Sequence, residues 1–153
     1  MKTKMIMITL FILLTNSSFA QNFGDSYQSV LRKVDGIIER SENEFIKCNF
    51  NVQGIEGIKI YGFNSGGELI SLITQQFLNK KDGKALYDGY YNSYRSKFGT
   101  PYIDNVKKSG TERGNSYIKI NSKWSKNKEN LSVNYYTVSN ESLVQTHYMI
   151  RAN

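Results

Sequence analysis

The chain has 153 residues, with 20 Lys and Arg against 13 Asp and Glu, a formal net charge of +7 and 39% hydrophobic residues. That length fits one ordinary domain, and the apolar content is too high for a disordered tail. One Cys and one His exclude an internal disulfide and a zinc site of three or four N/S ligands, one Pro excludes Pro-rich linkers, and no cofactor is expected.

Lys2 and Lys4 precede an apolar run from Met5 to Leu14, then Thr15-Asn16-Ser17 and the small-x-small triplet Ser18-Phe19-Ala20. These are the parts of a secretory signal peptide cleaved between Ala20 and Gln21. The apolar run spans about 15 Å as a helix, half the hydrocarbon thickness of a bilayer, and is too short to be a membrane anchor. Gln21 in place of Cys offers no lipid acceptor, and no later segment is apolar enough to span. The expectation is a signal peptide over 1–20 and a single exported domain over 21–153, periplasmic or secreted, with no transmembrane anchor after signal removal. The exported part carries a net charge of +5.

Asp25 with Gln28 reads as the N-cap of a first helix, with Tyr27, Val30, Leu31 and Val34 on one stripe and Gly36 at its end. Ile46, Cys48, Phe50 and Val52 alternate with polar residues as in a half-buried strand. Ile58, Ile60 and Phe63 lead into the turn Asn64-Ser65-Gly66-Gly67, and Glu68 to Phe77 returns as a hairpin. After a polar break over Asn79 to Lys84, Asp82 reads as the cap of a second helix. It runs to about Phe98 and is stopped by Gly99 and Pro101. Residues 102–116 read as a long loop or an irregular edge. Tyr117 to Trp124, Leu131 to Val138 and Leu143 to Ile150 read as three strands joined by polar turns.

The order helix, strands, helix, strands predicts an α+β fold, an antiparallel sheet with two helices on one face. An offset of 63 places Tyr27, Leu31 and Gly36 on Tyr90, Tyr94 and Gly99. An offset of 73 places Ile58, Ile60 and Phe63 on Leu131, Val133 and Tyr136. The two together suggest a duplicated α-β-β-β unit over 21–78 and 79–153. The exported start, the capped helix at Gly24-Asp25-Ser26, the stop Lys97-Phe98-Gly99-Thr100-Pro101 and the Trp-bearing hairpin region resemble small exported bacterial proteins built from helix-then-antiparallel-sheet units. Outer-membrane-assembly lipoprotein domains and β-lactamase-inhibitor-type proteins are of this kind. The resemblance is one of element order. It implies a non-enzymatic binding domain, and this chain departs from the first group in lacking a lipobox Cys and from the second in lacking disulfides.

Catalytic signatures are missing: the chain has no Gly-x-Ser-x-Gly elbow, no His-Glu-x-x-His and no Walker-type loop. Cys48 and His147 are the only thiol and imidazole, and their strand phases point them into different environments. The positive signal is charge. Residues 21–78 carry 5 basic and 7 acidic residues, whereas 79–153 carry 13 and 6, with nine of the eleven Tyr and the only Trp. Basic groups interleaved with aromatics suit anionic polymers or glycans, which makes Lys107, Lys108, Arg113, Lys123, Trp124 and Lys126 the candidate binding residues. A Lys-rich, Arg-poor set is also what a solvated surface displays, and export argues against nucleic acid. The expected function is non-covalent binding of a protein in the envelope or outside the cell. The alternatives are an anionic-polymer or carbohydrate-binding module, and a cell-wall or polysaccharide-active enzyme whose carboxylates assemble only in the fold.

Overall fold

The computed structural model describes residues 23–34, 36–42 and 44–150. The expected targeting segment at 1–20 and the Ala20–Gln21 junction lie outside them. Helix α1 (Tyr27–Lys33) is capped by Ser26, whose Oγ accepts from the Ser29 amide at 3.3 Å. The cap therefore lies one residue after Asp25, whose carboxylate instead holds the Lys33 ammonium at 2.9 Å. Four strands follow: β1 (Ile37–Glu42), β2 (Phe45–Val52), β3 (Ile55–Phe63) and β4 (Leu69–Asn79). The β3–β4 turn closes on Asn64, whose Oδ1 accepts from the amides of Gly66 and Glu68 at 3.0 and 2.9 Å. Gly67 supplies the positive φ of 76° that this turn requires.

Helix α2 (Lys80–Phe98) begins inside the segment expected to be a break. Asn79 is its cap: Oδ1 accepts from the Asp82 amide at 2.9 Å while Nδ2 donates to the Asp82 carboxylate at 2.8 Å. Asp82 is thus the reciprocal partner in the first turn and not the cap. The chain then forms β5 (Ile103–Glu112), β6 (Asn115–Lys126), β7 (Glu129–Val138) and β8 (Glu141–Ile150). The segment expected to be a loop or irregular edge is the ten-residue strand β5, and β1 was not foreseen. Each helix is therefore followed by four strands where three were expected.

All eight strands form one antiparallel sheet in the order β1-β2-β3-β4-β8-β7-β6-β5, so the α+β expectation holds at that level. Cross-strand register sorts the side chains onto two faces. On the packed face one row runs Ile46, Tyr61, Leu72, Tyr148, Leu131, Trp124. Val30 of α1 packs with Ile46, Cys48, Tyr61 and Leu72. Leu86, Tyr87, Tyr90, Tyr91 and Tyr94 of α2 pack with Trp124, Leu131, Val133, Tyr135 and Val144. Burying each such side chain stabilises by about 1.5–3 kcal/mol.

The tyrosines are tolerated in the core because their hydroxyls find partners there. Tyr90 donates to Gln76 Oε1 at 2.9 Å, and Tyr87 and Tyr91 donate to Asn105 and Asp104, each at 2.8 Å. The indole N–H of Trp124 donates to the Gly99 carbonyl at 2.9 Å. Face assignment also bears on the offset of 73. It maps Ile58 and Ile60, which lie on the opposite face from Tyr61, onto Leu131 and Val133 of the packed face. Between β3 and β7 that offset therefore exchanges the two faces of the sheet.

Candidate binding face

The other face of the sheet presents three long rows of side chains, all exposed or half-buried. One row crosses the sheet as Glu56, Phe77, Leu143, Tyr136, Lys119, Lys108. The next runs Ile58, Gln75, Gln145, Asn134, Asn121, Val106. The third includes Lys47, Ile60, Ile73, His147, Ser132 and Lys123. In the middle row the Gln75 amide donates to Gln145 at 3.0 Å, and the Asn121 amide donates to Asn134. Amides that pair with each other hold fixed positions and still offer spare donors and acceptors to a partner.

Two hollows indent this face. One, of about 600 Å³, is bordered by Val106, Lys108, Lys119, Asn121, Asn134, Tyr136, Leu143 and Gln145. The other, of about 480 Å³, is bordered by Ile37, Asn49, Asn51, Glu56, Ile58 and Phe77. Phe77 is 49% exposed although it sits on a central strand. In the first hollow the Lys119 ammonium stands 4.8 Å from the ring centre of Tyr136 and 5.1 Å from that of Tyr117. Desolvation raises the Tyr136 pKa, and its hydrogen bond to Glu112 at 3.2 Å adds to the rise.

The residues proposed from sequence do not converge. Lys108 and Lys123 lie on this open face. Lys107 is on the other side of β5, Arg113 is in the β5–β6 turn with φ of 49°, and Lys126 ends β6 opposite Glu129. Trp124 is 2% exposed and belongs to the core, so it offers no stacking surface to a sugar or base. The better signal was the polar phase of β6, Tyr117-x-Lys119-x-Asn121-x-Lys123, opposite Ile118, Ile120 and Trp124. Phe77 carried no such signal, because an apolar residue in a strand reads as core.

Cys48 and His147 lie on opposite faces, with Cys48 fully buried on the packed one. His147 Nε2 lies 3.0 Å from Ser71 Oγ, and burial lowers its pKa. Its direct cross-strand neighbours are Ile73 and Ser132. Among the described residues no group of three or more His, Cys, Asp and Glu is arranged to hold a metal ion. Among them, too, no helix is long and apolar enough to cross a membrane. Comparison with protein-family models, curated proteins and solved structures finds no match to this chain.

Proposed function

We propose that this chain is an exported protein that acts by non-covalent binding of another protein, in the cell envelope or outside the cell, through the open face of its sheet. The observation that carries the reading is the row Phe77, Leu143, Tyr136, an accessible apolar strip at the middle of a broad face bordered by paired amides. Such a strip within a polar surround is the usual composition of a protein-binding patch, with aromatic anchors at the centre and hydrogen-bonding groups at the rim. The chain is further read as two helix-plus-four-strand units, over 21–78 and 79–153, with both helices on the packed face. The repeated element order and the central β4–β8 pairing support this.

Capture of partners from an envelope extract tests the reading, with the wild-type protein and Phe77→Ser as baits. Phe77 is half exposed, so the substitution leaves the core intact and is expected to lose the partner. Equal capture by both baits, or glycan turnover with no captured partner, would overturn it.

A further inference from the structure

We infer that the hollow over β5–β8, together with the exposed Phe77 of β4 beside Leu143, receives an extended acidic segment of the protein partner. An apolar side chain of that segment sits on Phe77 and Leu143, and its carboxylates reach Lys119 and Lys108. The inference rests on reading the open face as the binding surface, and it adds the charge and spacing of what binds there.

The two halves of the face settle their charges differently. Over β1–β4, Lys47 is paired with Glu39 at 2.8 Å and Arg40 with Glu42. Over β5–β8, Lys108 and Lys119 are direct cross-strand partners, and Lys123 follows four residues along β6. None of these three takes part in an ion pair among the described residues. Like charges directly opposite destabilise a strand pair, so the arrangement costs the fold stability until a counter-charge arrives. The nearby carboxylate Glu112 accepts from the Tyr136 hydroxyl, at the far end of β5.

The aromatic rings argue for a peptide over a glycan or nucleic acid. A sugar or base needs an open ring face to stack on. Lys119 sits over the rings of both Tyr136 and Tyr117, and Trp124 is in the core. Along this row, what remains accessible is an apolar strip from Phe77 leading into a pair of ammonium groups, and the other exposed ring, Tyr102, lies off the row beside Lys123. Neighbouring strands are about 4.8 Å apart, so three strand steps put Lys119 about 14 Å from Phe77, and Lys108 is about 19 Å away. In an extended peptide, residues i and i+4 are about 13 Å apart and i and i+6 about 20 Å, all on one side. The matching segment has an apolar residue at i and acidic residues at i+4 and i+6.

The probe is a ten-residue Ser/Thr peptide with Leu at position 3 and Glu at positions 7 and 9. Its counterpart has Lys at 7 and 9. Each is titrated into the protein while backbone amide shifts are followed by NMR. The Glu peptide is expected to shift the amides of Lys108, Lys119, Tyr136 and Leu143, and to weaken about tenfold between 50 and 200 mM salt. The double variant Lys108→Glu/Lys119→Glu, both positions being exposed, is expected to lose the Glu peptide and accept the Lys peptide. Equal binding of both peptides by the wild-type protein would overturn the inference. So would shifts by a hyaluronate oligosaccharide at these amides where the Glu peptide gives none. If a captured partner is lost on Phe77→Ser but survives the charge reversal, the acidic segment is wrong while the binding face stands. If neither variant affects capture, both fail.

Discussion

Gly83 in the first turn of α2 approaches Ser142 of β8 so closely that a Cβ on the glycine would stand 1.8 Å from the serine Oγ and 2.8 Å from its Cβ. The contact docks the helix start on the sheet, where Ser142 Oγ donates to the carbonyls of Leu78 and Asn79 at 3.1 and 3.0 Å. Gly83→Ala is expected to lower stability by about 1–3 kcal/mol despite alanine's better helix propensity, because the overlap outweighs it. Thermal unfolding followed by circular dichroism measures this, and adding Ser142→Gly should restore part of the loss. A stabilised single variant would refute the close docking.

Gln76 is fully buried, its Oε1 accepts from Tyr90, and its Nε2 makes no hydrogen bond among the described residues. Tyr90→Phe removes the donor to a buried acceptor and should cost about 1–3 kcal/mol. Replacing both groups, as Tyr90→Phe/Gln76→Met, removes the stranded amide as well. The double variant should be closer to wild type than the single one in urea denaturation, and a simple sum of two losses would contradict this.

Trp124 is the only tryptophan and is held by ring contacts with Tyr91 and Tyr94 at 5.7 and 6.0 Å. Its fluorescence should be blue-shifted in the folded protein, indifferent to ligands of the open face, and red-shifted on unfolding. Trp124→Phe removes the indole donor to the Gly99 carbonyl and leaves a void where part of the buried ring stood, for an expected loss of about 1–3 kcal/mol. Ready quenching by iodide in the native state would place the ring at the surface and refute the assignment.

Cys48 is 0% exposed, between the α1 packing residues and β3. A buried thiol reacts only through opening of the structure. Labelling by a thiol reagent at neutral pH should be slow in native protein and accelerate with denaturant. Prompt native labelling would count against the buried position.

Burial lowers the His147 pKa from its ordinary 6.5, so the folded state favours the neutral ring. As pH falls from about 7.5 through 6.5, the unfolded chain takes up the proton first and stability declines, levelling off for this group below its folded pKa. His147→Gln should remove that part of the pH dependence. A stability that rises over the same interval, and loses the rise in the variant, would reverse the sign.

Both helices and the three strands after Tyr117 were legible because their burial is one-sided. The stripe of Tyr87, Tyr91, Tyr94 and Phe98 has helical period, and Leu131, Val133 and Tyr135 alternate. Strand β1 was not, and β5 was legible only as one of two alternatives, an irregular edge. They are the sheet edges, nearly every residue in them is exposed, and each contains a register shift, at Ile38/Arg40 and at Ile103/Val106. A strand with no buried face leaves no hydrophobic period, and a bulge disrupts the alternation that remains.

Local pattern thus determined both helices and six of the eight strands, and which residues of a strand share a phase, since these follow from the geometry of a single element. It determined the charge excess after residue 78 as well. Only the tertiary structure decided the strand order, and with it that β4 meets β8 and brings Phe77 beside Leu143. The same register places Lys119 beside both Lys108 and Tyr136, and the packing of α2 on the sheet turns Trp124 inward. Contacts between strands distant in sequence depend on sheet order and register, and no window along the chain encodes either.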